Sequence, residues 1–69
     1  MFKKDKYVIS AFKNGRLVER QICFFSKVDY NFAILKIRKN NKVLQIQYLP
    51  EDVTKIICQN NSLILLKKC

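Results

Sequence analysis

The chain has 69 residues, 49% of them apolar, and fourteen Lys and Arg against five Asp and Glu give it a net charge of +9. That apolar share excludes a disordered tail, the length allows one domain with a thin core, and no run approaches the roughly 18 apolar residues of a membrane span. With no histidine, one glycine and an odd three cysteines, the chain lacks a neutral-pH general base, a glycine-rich phosphate loop, a zinc-ligand spacing and a disulfide framework.

Lys3-Lys4-Asp5-Lys6 opens onto alternation rather than an apolar signal core, so a cytoplasmic location is expected. Residues 6–12 read as a first strand, with Tyr7, Ile9 and Ala11 on one face and Val8, Ser10 and Phe12 on the other. Lys13-Asn14-Gly15-Arg16 is a hairpin turn, because Asn and Gly both tolerate the positive φ of a type I′ turn. Residues 16–25 form a second strand, long enough to predict a bend or bulge near Arg20 to Cys23. Ser26 to Asn31 is a polar connection containing Asp29.

Residues 32–38 read as a third strand, with Ala33, Leu35 and Ile37 inward and Lys36 and Arg38 facing water. Lys39-Asn40-Asn41-Lys42 reads as a second hairpin turn, leading to residues 43–49, where Leu44, Ile46 and Tyr48 alternate with Gln45 and Gln47. Pro50-Glu51-Asp52 ends that strand. Residues 53–58 make a short fifth strand, Gln59-Asn60-Asn61-Ser62 a third hairpin turn, and residues 62–66 a sixth strand. Leu63, Ile64, Leu65 and Leu66 make that strand apolar on both faces, so it either threads the core or packs on another chain. No helix of ten or more residues is drawn. The expected fold is all-β: residues 1–69 as a single six-stranded, mainly antiparallel barrel or rolled sheet, Sm-like or Src-homology-like.

The strand order over residues 6–58 resembles the Sm/Hfq-like small barrels. Tyr7-Val8-Ile9 leading to Asn14-Gly15 is similar to that family's first strand and turn glycine, and Val28 to Leu35 looks like its Asp-containing stretch before the third strand. Asn40 to Tyr48 and Val53 to Ile57 are similar to its second half. The resemblance implies a small barrel that binds RNA. It extends to the architecture and not to the uridine pocket, since Ala33 and Tyr48-Leu49-Pro50 stand where the family's base-contacting residues would be.

The charge surplus favours a polyanion. Lys13, Arg16, Lys39 and Lys42 flank the expected hairpin tips, with Lys36 and Arg38 beside them, and a barrel that gathers those tips makes a basic rim. Phe25, Tyr30 and Tyr48 lie near strand ends, where an aromatic can stack on an unpaired base, and Tyr30 joins the expected site. The sequence therefore points to a non-catalytic nucleic-acid-binding domain without metal or cofactor, RNA or a single strand being favoured over duplex DNA. The alternative is a protein-interaction module, of the kind found as phage- or plasmid-type inhibitors and accessory factors, that binds an acidic protein. No membrane role is expected. Leu63, Ile64, Leu65 and Leu66 are expected at a homo-oligomeric contact, most simply a dimer.

Overall fold

Three tight turns, each with two successive residues of positive φ, organise the fold, seen in a computed structural model that describes residues 3–69. Asn14 and Gly15 (φ 52° and 78°) join β1 (Asp5–Lys13) to β2 (Arg16–Phe25). After α1 (Lys27–Asn40), β3 (Val43–Leu49) turns through Glu51 and Asp52 (64° and 59°) into β4 (Val53–Cys58). Asn60 and Asn61 (62° and 56°) then lead into β5 (Ser62–Lys68). In the two-residue Asn14-Gly15 loop, paired positive φ is the type I′ geometry, whose twist matches that of the strands it connects.

The strands form one antiparallel sheet in the order β2-β1-β5-β4-β3. Strands β2 and β3 are its two edges, so the five strands make an open sheet and not the expected six-stranded barrel. The expected third strand is the missing one: residues 32–38 lie inside α1. Ser26 caps that helix reciprocally with Asp29. The Asp29 N–H donates to Ser26 Oγ (3.2 Å) and the Ser26 N–H donates to Asp29 Oδ2 (3.0 Å), which satisfies two amides at the helix start. At the other end Asn41 is extended (φ −133°), and its N–H and side-chain amide both donate to the Ile37 carbonyl. The Asn40-Asn41 pair is thus a helix terminus and not a hairpin turn.

Two irregularities bend the edges. The register slips between Ala11 and Phe12, which leaves Val18 as the extra residue of β2, a few positions before the expected Arg20 to Cys23. A second slip, between Val43 and Gln45, leaves Leu44 extra in β3.

One face of the sheet packs on α1. Tyr30, Ile34 and Ile37, at helical spacing, meet Ile56, Cys58 and Leu66, with Ile9, Val43, Ile46 and Ile64 around them. Tyr30 also hydrogen-bonds Thr54 through its hydroxyl and stacks at 5.2 Å on Tyr7. A helix about 10–12 Å across cannot cover a five-stranded sheet about 24 Å wide. A groove therefore remains between α1 and the β1–β2 hairpin, lined by Ile9, Ala11, Cys23, Phe32, Ala33 and Lys36 among others.

The opposite face carries no helix. Its side chains form three rows across the sheet, each in the strand order given above. Leu17, Phe12, Leu63, Ile57 and Gln45 make the first, Arg20, Ser10, Leu65, Lys55 and Gln47 the second, and Ile22, Val8, Lys67, Val53 and Leu49 the third. Strand β5 lies at the centre. Leu66 and Ile64 face the helix side while Leu63 and Leu65 face the bare side, so the run without alternation is one strand lined with apolar groups on both faces. It is not an exposed edge.

Candidate nucleic-acid interface

Register places most of the expected basic residues at one end of the sheet. Val43, Cys58, Ser62, Lys13 and Arg16 pair in sequence across all five strands and form its end row. Lys42 adjoins Val43, and its carbonyl accepts from the Gln59 N–H (2.9 Å). The Asn14 N–H donates to the Asn61 carbonyl (3.0 Å), which ties the β1–β2 tip to the β4–β5 turn. At about 4.8 Å per strand the row spans roughly 19 Å. Helix α1 runs back across the sheet to end here, bringing Arg38 and Lys39 in its last turn and Lys36 a turn earlier. The partial negative charge of the helix C-terminus favours cations there.

Lys13, Arg16, Lys36, Arg38, Lys39 and Lys42 thus share one end, although three of them stand on a helix rather than on the expected strand and turn. The acids lie elsewhere. Asp5 begins β1, Asp29 caps α1, and Glu51 and Asp52 make the β3–β4 turn, all at the far end; Glu19 lies within β2. Among the described residues the ion pairs are Lys4 to Asp29 (3.9 Å) and Lys68 to Asp5 (3.5 Å), both at the far end, where Lys6, Lys27 and Lys67 also lie, and none of the six gathered cations is paired.

Tyr30 does not join them. It sits near the start of α1 against Tyr7 and Thr54, where its ring and hydroxyl are both engaged. Phe25 packs at 5.6 Å on Tyr7 at the same end, and Tyr48, 72% exposed, also lies there. An aromatic beside the cations is Phe32, which is 65% exposed and lines the groove with Lys36. Read as strand, Phe32 and Lys36 share a face but stand about 13 Å apart. On a helix they are i and i+4 and share a face.

The remaining groups offer little chemistry. Three free cysteines are spread out, with Cys58 buried, Cys23 half-buried and Cys69 exposed. Burial pushes the Cys58 thiol up, away from the reactive thiolate. Backbone and hydroxyl hydrogen bonds from Ser26, with Lys4 nearby, hold the Asp29 carboxyl below its ordinary range. No group of three or more potential metal ligands occurs among the described residues, and no helix there is long and apolar enough to cross a membrane.

Comparison of the chain with protein-family models, curated proteins and solved structures finds no match.

Proposed function

We propose that the protein is a non-catalytic nucleic-acid-binding domain that takes a single strand, RNA in preference, across its basic end. The observation that carries this is the gathering of six unpaired cations at one end of the sheet, whereas the lysines of the far end, Lys4, Lys6, Lys27, Lys67 and Lys68, are interspersed with four of the five acids. A phosphate backbone needs such a row of positive groups and reads no sequence through it. Exposed Phe32 beside Lys36 supports a single strand, because an unpaired base can stack on the ring while its phosphate meets the lysine. The reading rests on this arrangement and not on the resemblance to Sm-like barrels, since the stretch Val28 to Leu35 that carried part of that resemblance is helical.

Fluorescence anisotropy with a labelled homopolymer RNA tests the proposal. Binding should weaken with salt at a log-log slope of about −3 if roughly four phosphates are contacted. Lys39→Glu with Lys42→Glu should lower both the affinity and the slope, with the fold unchanged by circular dichroism. Absence of binding to RNA and DNA at low salt would reject the proposal and leave the acidic protein partner as the reading of the same end.

A further inference from the structure

The uncovered sheet face is neither polar nor free of pattern. An antiparallel sheet with one face in water normally alternates apolar inward and polar outward. Here the outward face carries Phe12, Leu63 and Ile57 in its first row and Ile22, Val8 and Val53 in its third. The helix side buries only Ile34, Ile56, Cys58 and Leu66 to 8% exposure or less, a small core for a chain half apolar. A face about 24 Å wide and seven residues long covers roughly 550 Å² before side-chain relief is counted. That approaches the roughly 800 Å² per partner of a stable interface.

We propose that this face binds a second copy of the same chain, sheet on sheet, about a two-fold axis running along β5. The three rows are self-complementary about that axis. Such an axis lays β5 on β5, β1 on β4 and β2 on β3, and each row then meets itself in reverse. In the first row Phe12 meets Ile57 and Leu63 meets Leu63. In the second, Leu65 meets Leu65, Arg20 meets Gln47 and Lys55 meets Ser10, so those two cations oppose neutral polar groups. In the third, Val8 meets Val53 and Ile22 meets Leu49. Facing sheets keep their strands within about 30° of each other, which preserves these matches best near the centre. An axis across the strands would instead set the second row, with Arg20 and Lys55, on itself residue for residue.

Leu17 meets Gln45 at the rim of the first row, and a like-charge contact at the axis gives the dimer a signature. Lys67 falls on the axis and meets Lys67 of the other copy. The dimer is therefore held by apolar burial and opposed by charge, so salt strengthens it, the reverse of what salt does to a nucleic-acid complex. This inference is independent of the nucleic-acid reading, although an axis along the strands sets both basic ends side by side.

Sedimentation equilibrium of the full chain over a wide concentration range, at low and at molar salt, tests it. The expected result is a monomer–dimer equilibrium that tightens at least about ten-fold at high salt. Leu65→Lys adds a second like-charge pair on the axis and should give a monomer with an unchanged circular dichroism spectrum. Lys67→Leu should tighten the dimer and flatten its salt dependence, a gain that a misfolded variant cannot mimic. A monomer at high concentration in molar salt overturns the proposal, as does a dimer that salt dissociates. A dimer indifferent to both substitutions overturns it too. Monomers that float with vesicles one-third phosphatidylglycerol, and not with pure phosphatidylcholine, would assign the face to an anionic membrane instead.

Discussion

Glu51 and Asp52 occupy left-handed backbone (φ 64° and 59°), a conformation that Gly, Asn and Asp tolerate and that costs most other residues, Glu51 among them, roughly 1–2 kcal/mol. The Asn14-Gly15 and Asn60-Asn61 turns use residues that tolerate it, so the β3–β4 turn is the strained one. Replacing Glu51 with Asn and Asp52 with Gly should stabilise the protein by about 1 kcal/mol, seen as a rise in Tm of several degrees. At the start of α1, Ser26→Ala removes one half of the reciprocal cap and should cost about 1 kcal/mol. The same cap sets an acid limit. The Asp29 carboxyl titrates below its ordinary value in the folded state, so its stabilising share is complete above about pH 4 and is lost as pH falls through the lowered value. Acid titration followed by circular dichroism should show Asp29→Asn less stable at neutral pH and less sensitive to acid. Among the thiols, Cys69 should react with maleimide at once and Cys58 only when the chain unfolds.

Helix α1 is where sequence pattern and structure part. Ala33, Leu35 and Ile37 alternate well enough to suggest a strand, yet Leu35 is 58% exposed and the inward stripe is Tyr30, Ile34 and Ile37. Two signals for the helix were present: Ser26 three residues before Asp29, and apolar groups at i, i+4 and i+7. A second apolar set, Val28, Phe32 and Leu35, lies largely exposed on the helix and blurs that period. The other elements were legible because each is bounded by turn chemistry, and the five strands match the expected ranges to within a residue or two. Strand order was not, since nothing local places β5 between β1 and β4. The basic end was legible as a set of residues for a different reason than expected: a helix terminus, and not a hairpin tip, delivers Arg38 and Lys39. At this scale two substitutions separate packing from binding. Ile34→Ala should cost about 2–5 kcal/mol by denaturant unfolding. Phe32→Ala should leave stability nearly unchanged while weakening single-strand binding by about 1–3 kcal/mol.

The molecule as a whole is two hairpins and a helix held together by one strand. Ladders run from β2 to β1 and from β3 to β4 between chain neighbours, but β1 meets the rest only through β5, which pairs Tyr7 with Lys68 from opposite ends of the sequence. The chain-end amides repeat the closure: the Cys69 N–H donates to the Lys6 carbonyl (2.8 Å) and the Lys68 N–H to the Asp52 carbonyl (3.1 Å). Deleting residues 62–69 should therefore abolish cooperative unfolding of the whole domain, rather than trim an edge. The order of synthesis acquires a meaning from this layout. In chain order the β1–β2 hairpin precedes its partner β5, so a chain that has not reached β5 leaves that hairpin with both apolar faces open. Non-local pairing of this kind is slow to form and exposed to aggregation in the interval. Chains ending before residue 62 should therefore be protease-sensitive along their full length once released from the ribosome.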